Sequence, residues 1–124
     1  MTKKEAQKIL IVEDNPEMRQ IYRFLFRDYS KRYDIEVEKS AQIALDKLKS
    51  QEYALIITDV LMDPMRGELL FKRFREEGVE TPVIFISIVD PEDEKGLDGI
   101  NNFTCLRKPI TEEQLMERVK KIIG

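Results

Sequence analysis

The chain has 124 residues, room for one domain with one sizeable core, and its 42% apolar and 36% charged residues exclude a disordered or low-complexity chain. A formal net charge of −3, from 21 basic and 24 acidic residues, gives no electrostatic case for direct nucleic-acid binding or for an anionic membrane. No apolar stretch approaches the roughly 20 residues of a spanning helix, and the N-terminal apolar segment is too short for a signal peptide.

Histidine is absent, which removes the commonest general base and the commonest metal ligand. Any metal must then be held by oxygen, which favours a hard cation such as Mg²⁺ (or Mn²⁺). The single cysteine, Cys105, excludes an internal disulfide and fits a reducing, cytoplasmic location.

In chain order, KILIV (8–12) reads as the first strand, and a helix opens at Pro16 with Met18, Ile21, Tyr22, Leu25 and Tyr29 on one face. Phe24 falls at the edge of that face and is expected to be exposed. DIEVEK (34–39) alternates apolar and charged residues, as an edge strand does. Ser40 is a good N-cap for a helix with Ile43, Ala44, Leu45 and Leu48 inward. YALIIT (53–58) reads as a buried strand, followed by a helix starting near Met65, carrying Leu69, Leu70, Phe71 and Phe74 and closing near Gly78. PVIFIS (82–87) and FTCLR (103–107) are further strands; the continuous aliphatic character of KILIV and PVIFIS predicts burial on both faces of a parallel sheet. Between them, DPEDEKGLDGI (90–100) has two glycines and few apolar residues, so only a short or frayed helix is expected. The last helix has a capping box in Thr111 and Gln114, a staple from Ile110 to Leu115, and an apolar stripe of Leu115, Met116, Val119, Ile122 and Ile123.

Five β-α units with no repeat or linker predict one domain spanning 1–124, an α/β fold with a doubly wound, five-stranded parallel sheet and helices on both faces. Ligands of such folds bind beyond the carboxyl ends of the strands. After the first strand come Glu13 and Asp14. A dinucleotide or P-loop protein would place glycines here, so this loop is suited to a cation instead. The competing reading is that Asp14 or Asn15 only caps the next helix. After the third strand comes Asp59, which could be a cap, a ligand or a nucleophile. Ser87 and Lys108 end the last two strands, each alone an ordinary surface group. Together the set fits phosphoryl transfer: Asp59 as nucleophile, Mg²⁺ held by Asp14, Asp59 and a backbone carbonyl, and Ser87 and Lys108 on the phosphoryl oxygens.

ILIVEDNPEMR, LIITDVLM, VIFIS and LRKP, in this order and spacing, resemble the stations of a bacterial response-regulator receiver domain, a flavodoxin-like fold, over essentially the whole chain. The resemblance implies that Asp59 accepts a phosphoryl group from a histidine kinase or phosphotransfer protein. It implies that the phosphorylated state alters binding of a downstream protein or output domain. It further implies Asp14 and Asp59 as Mg²⁺ ligands with the Leu61 carbonyl as a third, Glu13 acting through water, and a cis Lys108–Pro109 bond. Such a domain is no enzyme beyond the phosphorylation and dephosphorylation of its own aspartate. In the family, kinases dock near the first helix, where Phe24 lies.

Several positions depart from the family pattern. Asp63 stands where proline is usual, with Pro64 one later, and bulky Ile88 follows Ser87. Leu61 and Val89 are apolar where the family tunes hydrolysis, which implies a long-lived phosphoryl state. Cys105 replaces the usual switch aromatic, with Phe103 nearby in the same parity, and INNF lacks the usual small pair. The output switch is therefore expected to work by ordering of 90–102. Cys105 itself reads as a small core residue more readily than as a redox sensor. Two alternatives follow: a pseudo-receiver that binds proteins without phosphorylation, and an aspartate phosphatase of the haloacid dehalogenase type. The latter needs a D-x-D pattern that neither the first strand end nor Asp59-Val60-Leu61 supplies.

Overall fold

A computed structural model of the chain describes residues 5–59, 67–87 and 102–124. Five strands alternate with helices: β1 (Gln7–Val12), α1 (Pro16–Leu25), β2 (Tyr33–Glu38), α2 (Ala41–Ser50), β3 (Leu55–Asp59), α3 (Gly67–Glu76), β4 (Val83–Ser87), β5 (Phe103–Arg107) and α4 (Glu112–Ile123). They form one parallel sheet in the order β2-β1-β3-β4-β5, with β2 at an edge as its alternating sequence requires. The helix expected at 90–100, the expected start near Met65, and Leu61, Asp63, Pro64, Ile88 and Val89 lie outside the described residues. So do the side chains of Leu69 and Leu70. No helix among the described residues is long and apolar enough to cross a membrane.

Alternation along the strands sorts the core into two layers. Leu10, Val12, Ile56, Val83 and Phe85 face α2 and α3, packing on Ala44, Leu45, Leu48, Phe71 and Phe74. Ile9, Ile11, Leu55, Ile57, Ile84 and Ile86 face α1 and α4, packing on Tyr22, Leu25, Leu115, Met116 and Val119. The central strands β3 and β4 are buried throughout, which explains their unbroken apolar runs. Strand ends differ slightly from expectation: Tyr53 and Ala54 precede β3, and Asp59 is its last paired residue, opposite Ile86.

The helix boundaries follow their caps. Ser40 accepts from the Ile43 N–H, and Thr111 and Gln114 complete a reciprocal capping box. Gly78 follows α3 with φ of 83°, a left-handed turn that glycine adopts without steric cost. The first helix needs a correction. Ile21 is 47% exposed, while Phe26 is buried in its place. The α-helix ends at Leu25 and a 3₁₀ turn, Arg27–Tyr29, follows, so Tyr29 packs on the core layer as expected but from that turn and not from the helix. Phe26 instead packs edge-on against Tyr33 of β2 at 6.1 Å, and Tyr29 stacks on the same ring. Phe24, 59% exposed, lies outside the core as expected.

Candidate functional site

Four strand ends meet at the carboxyl edge of the sheet. Val12 pairs with Thr58 and Asp59 with Ile86, so Glu13 and Asp59 leave adjacent strands side by side. Both belong to the series of side chains that faces α1 and α4. Ser87 pairs with Arg107, which brings Lys108 to the same edge one residue later. The Lys108 N–H donates to the Ser87 carbonyl at 2.7 Å, and the Lys108–Pro109 peptide is cis.

Asp59 is only 8% exposed, and its Oδ2 accepts from Lys108 Nζ at 2.6 Å. That distance is a charge-assisted hydrogen bond as well as an ion pair. Asp59 is the last residue of β3, and the described part of α3 runs from Gly67. The cap reading for Asp14 does not hold. Asn15 is the cap of α1: its Oδ1 accepts from Glu17 N–H at 2.8 Å and from Met18 N–H at 3.2 Å. Asp14 is thereby left exposed at the site edge.

Glu13 is the electrostatic anomaly. It is 2% exposed, its Oε2 accepts from the Asn15 N–H at 3.1 Å, and its Oε1 is buried without a hydrogen-bond partner. Burial pushes its carboxyl up to about 7. The neighbouring Asp14 carboxyl and the Asp59 charge add to the rise, against the Asn15 N–H and Lys108, which lower it. The Tyr22 hydroxyl, buried on α1, is also raised, first by burial and then by the charges of Glu13 and Asp59.

These residues fit a hard divalent cation. The donors are all oxygen, one carboxylate oxygen lacks a donor, and the like charges of Glu13, Asp14 and Asp59 conflict in a way a cation relieves. Among the described residues the acids line the edge without converging on one point as a closed cage. Leu61, whose carbonyl was expected as a further ligand, lies outside them.

Ser87 is buried at the end of β4. By alternation it continues Val83 and Phe85 on the α2/α3 side of the sheet, the side opposite to Asp59. Cys105 is half-buried against that same layer, as a small core residue would be. Phe103 packs edge-on to Phe85 at 5.9 Å and is half in solvent. The residue that the sequence did not flag is Arg19. Its Nη1 donates to the Asp14 carbonyl at 2.9 Å and to the Glu13 carbonyl at 3.1 Å. It closes the ILIVEDNPEMR stretch, five residues beyond Asp14 on the next helix, but was given no role there.

Residues 9–120 match the family model of the response regulator receiver domain. The chain is 33% identical over 119 residues to the response regulator ArlR of Staphylococcus haemolyticus, an overlap covering 93% of this chain and 52% of that protein. It is 28% identical over 116 residues to the transcriptional regulatory protein DltR of Streptococcus agalactiae, covering 91% of this chain and 50% of that one. The chain thus spans about half the length of the curated relatives it matches. Among solved structures, it aligns with the chemotaxis protein CheY4 of Vibrio cholerae at a TM-score of 0.84 and 25% identity, over 94% of this chain and 98% of that one.

Proposed function

The chain belongs to the response regulator receiver family, and from that premise we propose that Asp59 is its phosphoacceptor, taking a phosphoryl group from a cytoplasmic histidine kinase or phosphotransfer protein. The observation that carries the reading is the buried Asp59 at the end of β3, held by Lys108 Nζ at 2.6 Å with Glu13 beside it. A carboxylate so held has one oxygen fixed by the ammonium, which orients the group at the strand end. The Asp59 oxygen forms a bond to phosphorus as the bond to the donor breaks, the P–N bond of a phosphohistidine or the P–O bond of an acyl phosphate. The leaving imidazole takes a proton from solvent, whereas a leaving acetate needs none.

Receiver domains generally bind Mg²⁺, and here Asp14, Asp59 and the Leu61 carbonyl would hold it, with Glu13 acting through water. When bound, the cation offsets charge on the transferring group and on the acids around it. Lys108 is placed to follow the phosphoryl oxygens from its bond to Asp59. The Ser87 hydroxyl, at the end of β4, would take another of those oxygens. In the phosphorylated state the domain would change its affinity for a downstream protein or output domain, with no direct contact to nucleic acid and none to a membrane. Beyond this self-modification, no enzymatic turnover is proposed.

The test is intact mass after incubation with Mg²⁺ and acetyl phosphate. A gain of one phosphoryl group, lost in Asp59→Ala and on chelation, is the expected result. No gain, with beryllofluoride also failing to bind, would mean that the fold serves as a binding module without phosphorylation.

A further inference from the structure

The β1–α1 loop carries two adjacent acids, Glu13 buried and Asp14 exposed, whose carboxyls also interact with one another. Where those carboxyls sit depends on the backbone between them, because side-chain directions follow from its dihedral angles. Asn15 supplies part of the hold. Its side chain caps α1, its N–H donates to Glu13 Oε2, and its carbonyl accepts from the Arg19 N–H at 3.0 Å. The Glu13 N–H is used on the outer side, donating to the Glu38 carbonyl at 2.9 Å.

That leaves the carbonyls of Glu13 and Asp14, and one guanidinium nitrogen takes both. Arg19 is half-buried one turn into α1, and its Nη1 reaches back to them at 3.1 and 2.9 Å. A charged donor makes each of these bonds stronger than a neutral one would be. With both carbonyls drawn towards α1, the peptide planes on either side of Asp14 are fixed, and so is the line along which its carboxylate leaves the loop.

We infer that Arg19 is a positioning residue for the divalent-cation site, acting through the carbonyls of Glu13 and Asp14 to set the directions of their carboxylates. The inference rests on the reading that this edge holds Mg²⁺. It also opposes simple electrostatics. A guanidinium near a cation site repels the cation, so removing it would tighten binding if charge were all that mattered. Removing a group that orients metal ligands has the opposite effect, typically tenfold or more in affinity. The sign of the change therefore separates the two roles, and a residue that only stabilises the helix would leave affinity unchanged.

The experiment is calorimetric titration of Mg²⁺ into the parent chain, Arg19→Ala, Arg19→Lys and, as reference, Asp14→Asn. Urea unfolding and the exchange rate of the Asn15 amide would be measured on the same proteins. We expect Arg19→Ala to bind Mg²⁺ about tenfold more weakly and to exchange the Asn15 amide faster. Arg19→Lys, which keeps charge and donor, should recover most of the affinity. Equal or tighter binding in Arg19→Ala, with the parent binding normally and Asp14→Asn not binding, would overturn the positioning role and leave the site itself standing. A parent chain that does not bind Mg²⁺ would overturn both. Should Arg19→Ala fail to fold, Arg19→Gln, with a shorter reach and no charge, is judged by the same criterion.

Discussion

Replacing Glu13 by glutamine keeps an acceptor for the Asn15 N–H while removing the charge that burial and the neighbouring acids oppose. In the unfolded chain this carboxyl ionises near its ordinary value of 4.5, whereas in the folded domain it holds its proton until about pH 7. The folded state thus binds the proton more tightly. This contribution to stability is full below pH 4.5 and is lost as the pH rises to about 7. At about 1.4 kcal/mol per pKa unit, the gap amounts to roughly 3 kcal/mol in the metal-free protein above neutrality. The variant has nothing to ionise, so its stability relative to the parent should rise by on the order of 2 kcal/mol between pH 5 and pH 8. Urea unfolding followed by far-ultraviolet circular dichroism, with chelator and at matched ionic strength, measures both proteins at both pH values. Saturating Mg²⁺ should stabilise the parent at pH 8 and narrow the gap, because a ligand of the folded state adds its binding energy. A stability difference that stays constant from pH 5 to pH 8 would refute the electrostatic account of Glu13.

Two further substitutions probe the site and its frame. Lys108→Met leaves Asp59 beside Glu13 without its ammonium, and should cost about 1–2 kcal/mol, since the pair is shielded but not fully buried. Adding Asp59→Asn should recover part of that loss, and a double-mutant coupling near zero would show that the two groups do not act as a pair. Thr111→Ala removes one half of the capping box of α4 and should cost about 1 kcal/mol by urea unfolding; a loss below a few tenths would mean that the helix start is held by packing alone.

The strands themselves and the edge position of β2 were readable because alternation and burial leave direct traces in composition. DIEVEK has two exposed and four half-buried residues and cannot sit in the middle of this sheet, whereas LIIT and VIFI have no polar face to offer solvent. Caps were readable for the same local reason, since Ser40 and Thr111 bond within their own first turns. The roll of α1 was not. Its apolar residues permit either Ile21 or Phe26 to face inward, and the choice is made by Tyr33, which offers its ring to Phe26 from another strand. A periodicity run through to Tyr29 also assumes a continuous α-helix, and the chain tightens into a 3₁₀ turn at Arg27 instead.

The site divides in the same way, between what a residue is and what surrounds it. Position at a strand end placed Asp59, Glu13 and Lys108 at one edge, because a parallel sheet gathers all its carboxyl ends there. Whether Asp14 was a cap or a ligand could not be decided from EDNP, since aspartate and asparagine cap equally well. One bond pattern assigns the cap to its neighbour: the Asn15 side chain takes the Glu17 and Met18 amides. Ser87 shows the limit of the strand-end rule. Parity along β4 groups it with Phe85, whereas Asp59 pairs with Ile86 of the other layer, so spacing alone does not bring its hydroxyl to Asp59. Arg19 closes the ILIVEDNPEMR stretch, yet its role was not legible there, because its partners are carbonyls, which every residue has. An acidic site of this kind is thus only half written in its acids; the other half is the set of donors that hold the backbone from which they project.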